Sequence, residues 1–376
     1  MVDELLAVER YAIDTEFHRE KTYFPQIALV QISWRDRIAL IDPLSVDTHR
    51  FGRLFESDAL AVVHAAQQDL EVLKHSCGIA PRRIFDTQLS AGFLGYSTPS
   101  LSALVQSEFK VVLPKADRLT DWLQRPLSDA QITYAASDVE YLLQLHERLT
   151  QRLSVQGRRE WAEQACEELR IRPYGPVEPA MAWLKIKEVR ALRGRARGVA
   201  QSVAEWRERK AMAADIPPRR VISDMALLAI AQKMPSSETE LLQSRGVEAR
   251  QLGGNIINEL LEAVSQGATR DQRMPTADTE DVDRDLRPAV TLISAWVGEL
   301  ARQHRIDVAL LATRSDITAL LRSQPDARLA HGWRAHIVGD DIRRLVAGQA
   351  GLSFDAHGGL RLLDTDPISR KTIEDR

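Results

Sequence analysis

Two acidic residues, Asp14 and Glu16, lie two positions apart in an otherwise apolar stretch that begins at Tyr11. In a β-strand, residues i and i+2 point to the same face of the sheet, so both carboxylates project toward one spot. Like charges held this close repel each other and raise each other's pKa. A divalent cation that prefers oxygen ligands, Mg²⁺ or Mn²⁺, relieves that repulsion. The alternative is an acidic pair on a solvated strand end.

Three further residues could complete such a site. Asp69 follows a short apolar run and lies at the predicted start of a helix, where it is either a helix cap or a metal ligand. Tyr134 and Asp138 are four residues apart in a helical stretch, so the phenol and the carboxylate share one face. The small residues between them allow a metal ion and a phosphate to approach closely. The alternative is a buried tyrosine beside a surface aspartate.

The surrounding sequence predicts the elements that position these residues. Segments 28–33 and 37–41 have the pattern of two strands joined by a polar turn, and 60–63 that of a short buried strand. A helix is predicted over 69–77, and a second helical pattern covers 128–153. A strand meander followed by alternating strands and helices predicts an α/β domain with a mixed sheet flanked by helices.

The pattern of the second half of the chain predicts short helices that begin after a proline-rich segment. The run 224–229 is echoed at 307–312, and each run follows a Trp-bearing amphipathic helix, which indicates a duplicated helical module. The predicted division is an α/β domain at 1–170, a linker and connecting helix at 171–195, a first helical module at 196–268, a linker at 269–287, a second helical module at 288–351, and a C-terminal extension at 352–376.

Composition excludes several classes of protein. The chain has 376 residues, of which 44% are hydrophobic and 27% charged, as is typical of globular proteins. It has no apolar run of about 18 residues, so no membrane segment is predicted. Cys77 and Cys166 form neither a disulfide framework nor a zinc spacing, which predicts a reducing, cytoplasmic location. The absence of a Gly-x-x-x-x-Gly-Lys-Ser/Thr loop argues against ATP hydrolysis by that route.

Taken together, these motifs resemble the 3′→5′ exonucleases of the DEDD superfamily, and specifically the ribonuclease D family. The resemblance rests on Asp14-Thr15-Glu16, on Asp69 at a helix start, and on Tyr134 with Asp138. One branch of the superfamily carries a histidine five residues before the last aspartate. Thr133 stands at that position here, so the chain is of the Tyr type.

The resemblance covers essentially the whole chain. It includes the run 121–127, because similar stretches precede the last motif in that family. The two helical modules look like the family's paired HRDC (helicase and ribonuclease D C-terminal) domains. The resemblance therefore implies a ribonuclease H-like, DnaQ-like sheet domain followed by two small all-α HRDC domains. It also implies two divalent metal ions, an RNA substrate such as tRNA precursors with 3′ trailers, and a monomer.

The resemblance further implies a role for each residue of the site. Asp14 bridges both ions, Glu16 and Asp138 complete the ion beside the attacking water, and Asp69 holds the second ion. Tyr134 orients the water. Because the unperturbed pKa of a phenol is about 10, an orienting role suits Tyr134 better than that of a strong base at pH 7.

Four residues are candidates for substrate contacts, and each has a structural alternative. Phe17 either stacks on the terminal base or packs in the core, and His64 either contacts the scissile phosphate or closes a strand end. Lys115 and Arg118 either bind backbone phosphates or are solvated surface charges. Gln31 is expected to be structural.

Two other functions remain open at the level of sequence. A 3′→5′ exonuclease acting on DNA could use the same carboxylates, because the reaction leaves the 2′-OH as a bystander. A noncatalytic RNA-binding scaffold could use the local excess of Lys and Arg over 183–220, which offers phosphate contacts unless it forms only solvated helix faces. The intact set of acids disfavours the scaffold. Glu71 and Asp86 lie outside the motifs and carry no assignment.

Overall fold

The computed structural model describes residues 1–114, 120–248, 253, 255–270 and 285–365. Its N-terminal domain is built on a five-stranded mixed sheet. The strands are β1 (Arg10–His18), β2 (Gln26–Trp34), β3 (Arg37–Ile41), β4 (Leu60–Val63) and β5 (Ile84–Asp86). Their order in the sheet is β3-β2-β1-β4-β5, with an antiparallel meander β1–β3 and with β4 and β5 parallel to β1. The predicted mixed α/β sheet is confirmed.

Helices cover both faces of this sheet. They are α1 (Val2–Leu5), α2 (Gly52–Glu56, after a 3₁₀ turn at Thr48–Phe51), α3 (Gln67–Cys77), α4 (Thr87–Gly92), α5 (Leu101–Phe109), α6 (Asp129–Glu140), α7 (Leu142–Val155) and α8 (Arg159–Arg170). The helical pattern predicted over 128–153 is therefore two helices, which meet at Tyr141. The break lets α6 contact β2 and β3 while α7 contacts β1 and β4.

Strand β1 sends alternate side chains into two different cores. Tyr11 and Ile13 pack with Leu70 of α3 on one face of the sheet. Ala12 packs on the opposite face with Val139 of α6. The acidic pair of β1 continues the face of Ala12, because side chains alternate along a strand. Both carboxylates therefore project toward α6.

The first helical module follows two 3₁₀ turns, Pro179–Lys185 and Lys187–Ala191. Its helices are α9 (Gly194–Ala214), α10 (Pro218–Val221), α11 (Asp224–Lys233), α12 (Glu238–Leu242) and α13 (Ile256–Ala268). The backbones of helices α9 and α13 are in direct contact at Gly267. A Cβ atom at this position would lie only 2.5 Å from the Cα of Val199. Glycine is required at this contact for steric reasons.

The second helical module contains α14 (Arg287–His304), α15 (Val308–Leu311), α16 (Arg314–Leu321), a 3₁₀ turn (Arg328–Ala330), α17 (Gly332–Arg334), a π turn (Ala335–Gly339) and α18 (Asp340–Val346). A hairpin of β6 (Ala350–Phe354) and β7 (Leu360–Asp364) follows. The boundary predicted between residues 351 and 352 thus falls inside β6, because pairing with β7 continues the ordered chain. The predicted linker at 269–287 and the tail after 365 lie largely outside the described residues.

Both modules dock on the N-terminal domain. In the first module, Glu208 accepts a hydrogen bond from the hydroxyl of Tyr23 at 2.6 Å, which ties α9 to the β1–β2 loop. In the second module, Trp333 stacks on Trp161 of α8 with ring centroids 4.8 Å apart. The buried side chains of the second module form one continuous cluster with those of the N-terminal domain. None of the described helices combines the length and apolar character needed to cross a membrane.

Candidate active site

Four carboxylates from three separate segments converge on one point. Oxygens of Asp14 and Glu16, both on β1, lie with an oxygen of Asp138 from α6 within 4.8 Å of one another. Asp69 joins them from the first turn of α3, and among the neighbouring charges it raises the pKa of Asp14 most, ahead of Asp138 and Glu16. We call these four residues the acidic cage.

The topology of the sheet explains this convergence. Strands β1 and β4 are parallel, so their carboxyl ends meet at the same edge, where ligands bind in open α/β sheets. Helix α6 begins with a capping box between Ser128 and Gln131, which fixes its first turn. One residue after Asp138, the carbonyl of Val139 accepts a hydrogen bond from the hydroxyl of Ser33 at 2.9 Å. This bond ties α6 to β2 beside the cage.

Asp69 does not serve as the cap of α3. The N-cap position is Ala66, which has no polar side chain. The carboxylate of Asp69 instead accepts hydrogen bonds from the hydroxyl of Thr15 and from its own backbone N–H. Because Thr15 stands between the two acids of β1, this bond joins the helix start to the strand that carries the acidic pair.

A further acid, Asp86, sets the turn that leads into α3. It is only 2% exposed and accepts hydrogen bonds from the backbone N–H groups of Ala65 at 3.1 Å and Ala66 at 2.9 Å. Ala65 adopts a left-handed conformation with φ of 56°. The carboxylate also caps α4. Its position at the end of a short apolar strand, before a helix, is the sequence signal that could have identified this supporting role.

Desolvation raises the pKa of every carboxylate in the cage, and the charge of a neighbouring carboxylate, which for Asp69 is that of Asp86, raises it further. Burial is the largest cause in each case. The pKa of Glu16 rises to about 8, that of Asp138 to about 7 and that of Asp69 to about 6. The pKa of Asp14 lies well above its usual value. Without a cation, the cage therefore holds protons at neutral pH.

The chemistry of the cage suits a divalent cation. All four side chains offer carboxylate oxygens, the ligands that Mg²⁺ and Mn²⁺ prefer. One oxygen of Asp138, Oδ2, is buried and finds no hydrogen-bond partner among the residues that the structure describes. A bound cation would satisfy this oxygen and lower the pKa of its neighbours.

Tyr134 lies one helical turn before Asp138 and faces the same cage. Burial, followed by the charge of Asp138, raises the pKa of the phenol, so the hydroxyl is protonated at neutral pH. The nearby phenol in turn lowers the pKa of Asp138, partly offsetting the effect of burial. The ring of Tyr134 packs against Trp122 with centroids 6.0 Å apart.

Arg125 holds the segment that carries Trp122. Its guanidinium donates to both carboxylate oxygens of Asp42, at 2.8 and 2.7 Å. It also donates to the backbone carbonyls of Ala28 and Trp122, at 2.7 and 2.8 Å. We call this set the Arg125 clamp. The clamp links Trp122, which packs against the ring of Tyr134, to Ala28 of β2 and to Asp42 directly after β3.

The clamp reaches β2 where the β1–β2 pairing is irregular. Glu16 pairs with Leu29 and Phe17 pairs with Ile27, which leaves Ala28 as an extra residue on β2. Such a bulge re-aims the side chains beside it. Phe17 packs, partly buried, against the core on the α3 side of the sheet. Its contact with a terminal base stays a prediction.

His64, another candidate for substrate contact, directly follows β4 and is held by hydrogen bonds. Both ring nitrogens of His64 are engaged, with the Thr87 hydroxyl at 2.9 Å and the Pro99 carbonyl at 3.1 Å. Burial lowers the pKa of this imidazole, and its bonds tie the end of β4 to the loop before α5. Contact of His64 with phosphate stays a prediction. Lys115 and Arg118 lie outside the described residues.

The chain matches two protein families and is similar to several ribonucleases D. Residues 1–154 match the 3′-5′ exonuclease domain family, and residues 196–264 match the HRDC domain family. Ribonuclease D of Acidiphilium cryptum is 33% identical over 360 residues, covering 94% of this chain and 92% of that protein. Ribonuclease D of Jannaschia sp. is 34% identical over 351 residues, covering 91% of each chain.

The similarity extends to a solved structure. The crystal structure of Escherichia coli RNase D, described as an exoribonuclease involved in structured RNA processing, superposes with a TM-score of 0.81 at 30% identity. The match covers 92% of this chain and 95% of that one. Agreement in sequence and in fold along nearly the whole length shows that the chain belongs to the ribonuclease D family.

Proposed function

We propose that this protein is a metal-dependent 3′→5′ exoribonuclease that removes nucleotides one at a time from RNA 3′ ends. The observation that carries the proposal is the convergence of four carboxylates from distant segments in a chain that matches ribonuclease D along nearly its full length. An accumulation of like charges at one sheet edge is unfavourable for folding, so it indicates a function that needs those charges.

We infer that the cage holds two divalent cations, Mg²⁺ or Mn²⁺. Two such cations, when bound, neutralise charge on the phosphate and acidify the attacking water. In this assignment Asp14 would contribute to holding both cations, Glu16 and Asp138 would complete the first, and Asp69 would hold the second. The buried Oδ2 of Asp138 without a hydrogen-bond partner among the described residues supports a cation there.

Tyr134 acts in this proposal by orienting the attacking water. Its raised pKa keeps the phenol protonated, so the hydroxyl positions the water through hydrogen bonding and does not accept the water's proton as a phenolate. Phe17, His64, Lys115 and Arg118 are retained as candidates for substrate contacts. Alanine substitution at each is expected to raise KM more than it lowers kcat.

We infer that the substrate is RNA and, more finely, tRNA precursors with 3′ trailers. The structured-RNA processing described for the E. coli relative supports this direction. In the first helical module, some cations form internal pairs, as Arg207 does with Asp224 at 2.7 Å. Other cations are exposed and available for phosphates, namely Lys185, Lys187, Arg193, Arg219 and Arg220. Binding through these residues is expected to weaken steeply with salt.

We infer that the second helical module is a second HRDC domain. In the first module the indole N–H of Trp206 donates to Glu259 at 3.0 Å, and in the second that of Trp296 donates to Asp341 at 3.0 Å. Each bond ties the module's longest helix to a later helix, which supports a duplication. The boundaries 196–268 and 288–351 follow from this proposal, apart from the hairpin strand β6.

The proposal also includes a monomer that works in a reducing cytoplasm without ATP. Both cysteines, Cys77 and Cys166, are buried and free, which suits a reducing compartment. Size-exclusion chromatography with light scattering tests the monomer. Turnover in the absence of nucleotide triphosphates tests independence from ATP.

The decisive experiment measures shortening of matched RNA and DNA oligonucleotides with Mg²⁺ or Mn²⁺. Asp14→Asn and Asp138→Asn are each expected to abolish nearly all activity while leaving the folded structure intact. Asp36→Asn, on the exposed β2–β3 turn, is the matched control and should retain full activity. Full turnover by Asp14→Asn would refute the site, and faster degradation of DNA than of RNA would replace the RNA substrate by DNA.

A further inference from the structure

The side-chain amide of Gln31 is buried and makes no hydrogen bond to any residue that the structure describes. The residue lies in β2 with no exposed surface, and neither its amide nitrogen nor its amide oxygen has a hydrogen-bond partner among the residues that the structure describes. Leaving a buried polar group unpaired costs about 1–3 kcal/mol in proteins. The unpaired amide therefore indicates that Gln31 forms a hydrogen bond in the active, metal-bound protein.

The register of the sheet identifies what lies beside this amide. Gln31 is the direct cross-strand partner of Asp14. Directly opposed residues in an antiparallel pair point to the same face, with Cβ atoms about 4.5–5.5 Å apart. Two residues along β2, Ser33 bonds to the carbonyl of Val139, so this face of β2 lies beneath α6 next to Asp138. Gln31 thus lies under the acidic cage.

The chemistry of the two groups fixes how they can meet. An ionised carboxylate only accepts hydrogen bonds, whereas an amide has an N–H₂ donor and a carbonyl acceptor. When Asp14 is ionised, the nitrogen of Gln31, and not the oxygen, is therefore the atom that can bond to it. Donors that hold a ligating carboxylate fix its orientation, and their loss typically reduces metal affinity or activity about 10- to 100-fold.

We propose that Gln31 is a positioning residue of the cage, whose amide N–H donates to the carboxylate of Asp14 and fixes the orientation in which Asp14 holds the cations. This inference rests on the proposed function, because it assumes that the cage binds cations. It replaces the structural role expected for Gln31 from sequence.

The test substitutes Gln31→Met in the full-length protein, because methionine keeps the length and flexibility of glutamine without its polar atoms. The melting temperature of the metal-free variant is expected to equal or exceed that of the wild type, since an unmet amide is removed. Its Mn²⁺ affinity, measured by isothermal titration calorimetry, is expected to fall about tenfold or more. A merely structural residue would change the melting temperature and leave the affinity unchanged.

Two further variants sharpen the result. Gln31→Asn keeps an amide but withdraws it by one methylene, and it should lose Mn²⁺ affinity as Gln31→Met does. Thr48→Ala, which removes a hydroxyl bond to the carbonyl of Ser76 at the C-terminal end of α3, is the control. It should lower the melting temperature and leave Mn²⁺ affinity within about twofold of the wild type.

The outcomes separate this inference from the proposed function. If the wild type binds no Mn²⁺, the metal-dependent function itself fails. If the wild type binds Mn²⁺ and both Gln31 variants bind it equally well, the positioning role is refuted while the function stands. If affinity falls in both Gln31 variants and not in Thr48→Ala, the positioning role is supported.

Discussion

Individual residues of the cage are strained electrostatically before any substrate arrives. Removal from water and the neighbouring carboxylates raise the pKa of Glu16, Asp69 and Asp138 into the range of about 6 to 8. The metal-free protein therefore carries protons where the proposed metal-loaded protein carries cations. Binding of a divalent cation should release protons, as is general for ligands that must ionise first.

The raised pKa values predict how stability depends on pH. The folded cage binds protons up to about pH 8, whereas the same groups in the unfolded chain lose them near pH 4. Because the folded state binds more protons across this window, its contribution to stability falls as pH rises from about 4 to 8. Removing one repelling charge should weaken this trend. Asp138→Asn is therefore expected to melt at a higher temperature than the wild type at pH 8 in EDTA.

Melting curves at pH 5 and pH 8, with EDTA and with Mg²⁺, measure this effect. The advantage of Asp138→Asn should shrink at pH 5, where the wild-type carboxylates are protonated. Mg²⁺ should stabilise the wild type more at pH 8 than at pH 5, and the Asn variant much less at either pH. A variant that melts below the wild type at pH 8 without metal would contradict the electrostatic description of the cage.

Tyr134 gives a second prediction at the residue scale. Tyr134→Phe removes the hydroxyl that orients the attacking water and leaves all four carboxylates in place. Turnover is expected to fall about 10²-fold, the typical effect of misplacing a reacting group. Mn²⁺ affinity by calorimetry should stay within about threefold of the wild type. Tyr141→Phe, at the junction of α6 and α7, is the chemically matched control and should keep its turnover.

At the scale of elements, the site depends on a segment that supplies no ligand. The Arg125 clamp holds Trp122 under Tyr134 and fastens the same segment to the β-bulge beside Glu16. The guanidinium of Arg125 thus supports both Tyr134 and Glu16. Lysine keeps the charge of arginine but lacks the planar fork that makes several bonds at once.

Arg125→Lys is therefore expected to lower kcat about tenfold or more while the variant stays folded. Its effect should be less than additive with Tyr134→Phe, because both changes act on the same group. Arg37→Lys, which affects only a surface pair with Glu4 at 2.8 Å, is the matched control and should leave kcat unchanged. Full additivity in the double mutant would show that the clamp does not act through Tyr134.

At the scale of the whole molecule, the second helical module is packed as part of the N-terminal domain. Arg334 is 1% exposed and donates to Glu168 of α8 at 2.7 Å, and Arg328 pairs with the same carboxylate at 3.0 Å. Burial is the main reason that the pKa of Arg334 falls, to about 10, and it still remains charged at neutral pH. Its only carboxylate partner at hydrogen-bond distance among the described residues is Glu168.

Glu168→Ala is expected to lower the free energy of unfolding by about 3 kcal/mol, since it leaves a buried guanidinium uncompensated. Glu167→Ala, one residue earlier, breaks only a solvated pair with Arg170 and should change that free energy by less than about 1 kcal/mol. Urea denaturation measures both. Equal effects of the two substitutions would show that the module is not anchored through Arg334.

The sequence by itself determined the residues whose relation is local. The two-residue period of a strand places Asp14 with Glu16, and the turn of a helix places Tyr134 with Asp138. The mixed sheet and the family were also predictable, because apolar patterns and motif spacing are written along the chain. These relations need no knowledge of how distant segments meet.

Only the tertiary structure decided the relations that depend on register and docking. It showed that Asp69 is hydrogen-bonded to Thr15 of β1 and that Asp86 holds the turn before α3. It also showed that Gln31 pairs with Asp14 across the sheet. It also merged the second module with the core of the N-terminal domain and carried the chain on into a hairpin. A shift of one residue in the β1–β2 pairing would send Gln31 to the face opposite Asp14, and pairing is fixed by packing between segments far apart in sequence.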